Sequence, residues 1–573
     1  MTRCPVFLVG LLLISSASSA QAPPPTPPPV SVPGLPQLPP RDPGSKTGTA
    51  RIRGRVVAAD TGQPLRKAQI RATSAELRES RLATTDNNGV YEIIEMPAGR
   101  YQLTATKGSF VQLQYGQTRP FEPGKPLEVG DGQRIDKVDF NVPRGAIITG
   151  RVVDEVGEAA TGVQVSAMRY GYAQGRRQLV TAGSFATTND IGEYRIYGLP
   201  PGQYYVTATL RSGSPFDIAS SSERSGYAPT YYPGSPSVSE GQRLTLELGQ
   251  TRTGIDVTLS PTRLARITGT AVDSDGKPIS NAQLLIAQTS GQGIITVGGG
   301  TQFRPDGSFT ISNVTPGEYS IGVLQGVSSL ALGGGAAEAV SATVTVAGED
   351  INDLRLVGVK SSTVTGRVIL PQAASGAIRA SSIQLTASAA RPAPIPTLVG
   401  GGSGRVNDDF TFEMKVQPGQ KLLRVAPTFQ GVTLKAVRVN GADVTDTGID
   451  VRPNEDIGGV EIELTTQVSE LSGMVADARG QTVKDYSVVV FAKDSARWTF
   501  GSRYFGGGRP DQDGRFKVRN LPPGDYYAIA LDYMEPGSGT DPEFLEKIRN
   551  QSTGFSMTEG AVKTLDLRIA IAP

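Results

Sequence analysis

The chain of 573 residues contains no histidine, one cysteine and one tryptophan. Without histidine it lacks the commonest general base, the Ser-His-Asp and Cys-His nucleophile systems, and most zinc, copper and non-haem iron sites. The single cysteine, Cys4, precedes an apolar stretch at the start of the chain, so everything after it is free of thiols and disulfides and depends on ordinary hydrophobic cores. A dominant charge sign is also missing. Lys and Arg number 56 against 54 Asp and Glu, and no segment forms the one-signed stripe that would follow a nucleic-acid backbone. After the first 20 residues no run is long and apolar enough to span a membrane as a helix. Carboxylate-pair glycosidases and Ser-Lys hydrolases need no histidine, but neither signature is present and the paired acids fall in turns. The sequence assigns no catalytic residue, no metal ligand and no cofactor, and it points away from an enzyme.

Glycine and proline, at 69 and 41 residues, are plentiful, and they recur in a pattern. The stretch TTNDIGEYRIYGLPPGQYYVTAT, ending at Thr209, reads as a β-hairpin followed by a corner. Asn189-Asp190-Ile191-Gly192 is turn chemistry, Tyr194 and Ile196 alternate with polar neighbours, and Leu199-Pro200-Pro201-Gly202 ends the strand. Related copies run from Thr84 to Thr106, Arg304 to Val323 and Arg509 to Leu531. A degenerate copy keeps Pro418-Gly419 but lacks the turn glycine and carries Lys421 at the corner. Tyr101, Tyr204, Tyr319 and Tyr526 hold that corner position in the other four, and are expected in the core with their hydroxyls bonded near the corner.

Each unit opens on a glycine followed by a small strand: Gly54, Gly150, Gly269, Gly366 and Gly473, spaced 96 to 119 residues apart. Most copies continue with a turn, such as Asp273-Ser274-Asp275-Gly276-Lys277-Pro278, then a second strand, the hairpin and corner, and an alternating closing strand. Short strands, frequent turns and about a hundred residues per unit describe an all-β chain of about five tandem immunoglobulin-like sandwiches. Together these motifs resemble carboxypeptidase regulatory-like domains. The resemblance implies a transthyretin-like β-sandwich, grouped with carbohydrate-binding-like folds, and is strong in units 1, 2, 3 and 5 and weaker in unit 4. Such domains flank zinc peptidases, precede membrane barrels or occur in tandem in secreted bacterial proteins. The chain has no histidine for a zinc peptidase and nothing in it resembles a membrane barrel, so only the tandem arrangement fits.

The expected organisation is a signal peptide over 1–20, a proline-rich linker over 21–47, and sandwiches over 48–145, 146–264, 265–361, 362–468 and 469–573. Each sandwich is large enough to bury its own core, so the expected arrangement is beads on a string. One helix is expected near 541–550, capped by Asp541 and Pro542, with Phe544, Leu545 and Ile548 inward. The turn carboxylates have the oxygen chemistry of a calcium loop, but the hairpin itself requires them and the distal Glu is absent.

The function expected is an exported binding or adhesion protein, in the periplasm, on the outer surface or outside the cell. Its partner would be a polysaccharide or a cell-envelope protein; a structural spacer is the alternative, and a carboxylate hydrolase stands third. Aromatic residues outside the core pattern are the candidate ligand contacts, because a flat ring bordered by polar groups stacks on sugars. They are Trp498, Phe500, Tyr504 and Phe505 in the glycine-rich connection of unit 5, and Tyr231 and Tyr232 in unit 2. The same residues would also serve to plug a sandwich edge or a joint between domains.

Overall fold

The computed structural model describes residues 48–572, apart from 75–76, 78–79, 174–175, 211–224, 281, 291–292, 298–302, 325–337, 375–377, 391–401, 427–430 and 500. The expected signal peptide and linker, with Cys4, lie outside the described residues. So does Phe500.

The chain is a tandem array of β-sandwiches, and one register explains why its motifs recur. In each unit the opening strand, for example Ala146–Val153, pairs antiparallel with the hairpin strand and parallel with the closing strand. The opening glycine always faces the hairpin aromatic: Gly54 opposite Tyr91, Gly150 opposite Tyr194, Gly269 opposite Phe309, Gly366 opposite Phe412 and Gly473 opposite Phe516. The glycine is required by close approach. A Cβ there would lie 1.8 to 2.1 Å from the carbonyl oxygen of Val138, Ile255, Leu354, Val460 or Leu565 at the start of the closing strand. Two of the hairpin aromatics use that same carbonyl, since Tyr91 Oη donates to Val138 O at 2.7 Å and Tyr194 Oη to Ile255 O at 2.6 Å.

The second sheet pairs the second strand with the corner strand, as in Ala72 opposite Leu103, Ala167 opposite Val206 and Val490 opposite Ala528. The corner tyrosines behave as expected. Tyr101, Tyr204, Tyr319 and Tyr526 each donate to the carbonyl four residues earlier, at 2.6 to 2.8 Å, which ties the strand to the bend that precedes it. In the turns the acid or amide side chain accepts backbone N–H groups two and four residues on. Asp86, Asn189 and Asp511 all do so.

Each sandwich has a separate hydrophobic core, drawn from 50–142, 146–259, 265–356, 364–464 and 471–567. The fourth keeps its own core despite its altered motifs. Phe410 takes φ +62° where the other hairpins place glycine, a conformation that L side chains adopt at a cost of roughly 1–2 kcal/mol. Lys421 is buried at the corner, where loss of solvent lowers its pKa. In the fifth sandwich the helix Pro542–Arg549 starts as expected, with Asp541 accepting from Phe544 N. Leu545 and Ile548 are fully buried against Val489, Phe491, Ile529 and Leu531, so the helix covers the outer face of that sheet and builds a second small core.

The units are not independent beads. A strap in the first sandwich, residues 117–125, reaches the second and fifth. Phe121 packs against the second core, with the Arg169 guanidinium 3.7 Å above its ring, and Arg169 pairs with Glu535 of the fifth sandwich at 3.2 Å. Glu122 pairs with Arg509 of the fifth sandwich, and both side chains are only 1% exposed. Separate cores permit independent folding, but this buried contact holds the first and fifth sandwiches together.

Candidate functional site

The connection around Trp498 is ordered by packing. A short turn follows Asp494, whose carboxylate accepts from Ala496 N at 3.0 Å. Trp498 then folds back so that its Nε1 donates to Ala492 O at 2.8 Å and its ring meets Phe491 edge-on at 5.5 Å. At 7% exposure, beside Leu545 and Ile548, it belongs to the small core under the helix and offers no free face for a sugar. Phe505 sits opposite Phe491 on the edge strand Phe505–Gly508 and is half-buried in the same cluster. Tyr231 is buried with Met168, Leu179 and Tyr205, and Tyr232 packs partly against the second core. Four of the expected contacts therefore plug sheet faces and edges.

Tyr504 is the member that reaches a cavity. It borders a cleft of about 260 Å³ between the fourth and fifth sandwiches. Its ring is already occupied: the Arg497 guanidinium lies over it at 4.0 Å, and Tyr526 stacks on it at 6.2 Å and 25°. The ring can therefore offer the cleft its polar edge, not a stacking face. Burial, with the nearby Asp446 charge, raises the Tyr504 pKa, so at neutral pH the hydroxyl remains a donor.

Beside it Arg503 spans the joint. Its Nε and Nη2 bond the two carboxylate oxygens of Asp446 at 2.8 Å each, and its Nη1 bonds Leu434 O at 2.9 Å. Burial opposes the guanidinium charge, but this two-pronged pairing outweighs it and holds the Arg503 pKa above its ordinary value. Lys435 and Arg438 both pair with Glu463, whose pKa they lower. Asn520 and Gln467 add amide groups to the wall. The result is a polar, charge-balanced cleft suited to a hydrogen-bonding ligand. Thr465 Oγ1 donates to Glu559 at 3.4 Å on the same wall.

Sequence reasoning missed the joint between the first and fifth sandwiches. Arg509 pairs with Asp485 as well as Glu122, and Thr118 Oγ1, with one proton to give, lies 2.8 Å from Asp485 and 3.2 Å from Glu122. Burial, with the Arg119 charge nearby, pushes the Arg509 pKa down to about 10, so it remains a cation at neutral pH. Arg119 Nη1 reaches Asp532 O at 3.0 Å, and Glu128 N donates to Gln512 at 3.2 Å across the same joint. Among the described residues no group of three or more His, Cys, Asp or Glu side chains is arranged to hold a metal, and no helix is long and apolar enough to cross a membrane.

These features define a chain of tandem β-sandwiches joined by polar interfaces. Residues 51–141, the first sandwich, match the family model of the carboxypeptidase regulatory-like domain. No curated protein matches the chain in sequence. Among solved structures it is similar to a streptococcal ancillary pilin, at 14% identity over 54% of this chain and 98% of that one, with a TM-score of 0.19. It is also similar to the minor pilin of Streptococcus agalactiae, at 14% identity over 38% and 97% with a TM-score of 0.20. A third similarity is to two B repeat units of the collagen-binding protein of Staphylococcus aureus, at 12% identity over 73% and 99% with a TM-score of 0.13. At these scores the fold rests on the strand register described above.

Proposed function

We propose that this chain is a non-catalytic, exported binding or adhesion protein that recognises carbohydrate or a cell-envelope protein. The observation that carries the reading is the cleft between the fourth and fifth sandwiches. It is walled by two sandwiches and lined by the Tyr504 hydroxyl, Asn520, Gln467 and paired charges, the mix of fixed donors and acceptors that orients a hydroxyl-rich ligand. The match of the first sandwich to carboxypeptidase regulatory-like domains is compatible with that role. The test is retention of the full chain on a panel of bacterial and plant polysaccharides, with Tyr504→Ala and Asn520→Ala alongside. Retention that these substitutions reduce supports the cleft as the site, and unchanged retention removes it.

A second reading, a structural element of the cell envelope, is favoured by a different observation. Trp498, Phe505 and Tyr231 are spent on packing, and a buried ion pair fixes the first sandwich to the fifth. Under that reading the chain binds no polysaccharide in the panel.

A further inference from the structure

A second cleft, of about 350 Å³, lies between the first and fifth sandwiches, the two that the Glu122–Arg509 contact joins. That volume lies at the lower end of the roughly 300–1,000 Å³ typical of ligand pockets. Tyr115, Asp139 and Asn141 line it from the first sandwich, and Lys484, Asp511 and Gln512 from the fifth. Tyr115 is half-buried and held edge-on to Phe140 at 6.1 Å, which fixes its ring on the wall. Its hydroxyl, the Asn141 amide and the Lys484 ammonium form no side-chain hydrogen bond or ion pair among the described residues, so donors and acceptors of both kinds stand free around a fixed ring. Asp139 spends one oxygen on Arg55 N at 2.7 Å and keeps the other. The wall carries cations and anions together, with Lys125 and Lys484 against Asp139 and Asp511, so it has no net preference for a charged ligand.

We propose that this cleft is a binding site for a neutral oligosaccharide, assembled from both sandwiches and complete only while Glu122 and Arg509 hold them together. The proposal rests on the preceding reading of the chain as a carbohydrate binder and adds a second site and a ligand class. The sequence singles out only the turn residues Asp511 and Gln512 of this cleft and does not signal a shared site, because the two walls are more than 300 positions apart in the chain. Sugar recognition here would use Tyr115 as the platform and hydroxyl contact, with Asn141 and Lys484 fixing the orientation.

The test is binding of the full chain to xylan and a neutral glucan, with polygalacturonate as the charged counterpart. Asn141→Ala changes an exposed side chain, and Tyr115→Phe keeps the ring against Phe140, so both variants should fold. Each is expected to weaken binding to the neutral polymer about five- to tenfold, the value of one lost hydrogen bond. Arg509→Met alters none of the cleft contacts named above but unpairs the joint, and is expected to abolish binding at this site. The double variant Glu122→Leu with Arg509→Met is expected to restore it. Binding unchanged by Asn141→Ala and Tyr115→Phe but reduced by Tyr504→Ala overturns this site and leaves the preceding reading intact. Tighter binding to polygalacturonate than to the neutral polymers overturns the ligand class, and no binding by the unaltered chain overturns both proposals.

Discussion

Replacing Arg509 with methionine should open the joint between the first and fifth sandwiches without unfolding either. Glu122 would then be a carboxylate 1% exposed whose remaining contact is the Thr118 hydroxyl at 3.2 Å, a single proton for which the nearer Asp485 competes. Breaking a buried pair by removing one partner costs about 3–5 kcal/mol, mostly because the other charge stays buried. Asp485 also loses a contact. It suffers less, because its side chain is 42% exposed and keeps Lys125 at 3.5 Å and Thr118 at 2.8 Å. The two cores share no member of the contact, so the penalty falls on the docked arrangement and not on the folding of either sandwich. At about 1.4 kcal/mol per tenfold, the open population should rise by roughly two to three and a half powers of ten. Hydrogen exchange reads this directly, because the Glu128 amide is bonded across the joint to Gln512 at 3.2 Å and opening frees it. Its exchange should accelerate by that factor in Arg509→Met, while amides of the strand Gly99–Thr106 in the same sandwich keep their protection. Glu122→Leu combined with Arg509→Met removes both charges and should return the rate close to its original value. Unchanged exchange at Glu128 in the single variant, or a double variant as open as the single one, would refute the reasoning.

Two further outcomes follow from the sandwich geometry. Gly150→Ala would place a Cβ 2.0 Å from Ile255 O, a backbone atom that cannot yield, and should destabilise the second sandwich by more than about 3 kcal/mol. Gly108→Ala, where nothing lies within 4 Å, is the control, and calorimetry should show one transition displaced in the first variant and none in the second. Alkali should act through the buried tyrosines. Burial raises the pKa of Tyr91, Tyr194, Tyr204, Tyr319, Tyr486 and Tyr526, that of Tyr319 to about 12. A folded pKa above the unfolded value of about 10 gives stability that is complete below pH 10 and is lost as pH rises further. Tyrosinate absorbance one unit above pH 10 should therefore fall well short, in the native chain, of the roughly nine-tenths of the 18 tyrosines that ionise there in denaturant.

Much of the fold was legible because its constraints are local. The corner tyrosine bonds the carbonyl four residues earlier, the turn carboxylate bonds amides two and four residues on, and Asp541 caps its own helix. Each constraint therefore leaves a motif of a few residues. The opening glycine answers a distant carbonyl, but it recurs five times and so could be read from its repetition. The candidate site was less legible. Trp498 and Phe505 sit among glycines and polar residues, which resembles an exposed loop, and only the helix Pro542–Arg549 packing over them makes them core. Glu122 lies in a stretch that reads as a turn and Arg509 at the start of a hairpin. Nothing in either segment signals that they meet, because the contact depends on how whole sandwiches dock.

The central claim is a protein that binds without transforming its ligand, and one measurement addresses both halves. The full chain is incubated with the polysaccharide panel, and the bound protein and the newly formed reducing ends are quantified together. The account predicts saturable retention on at least one polymer, reduced by Tyr504→Ala, with no reducing ends above the polymer alone. Reducing ends that accumulate with time and disappear on substitution of a single carboxylate would contradict it.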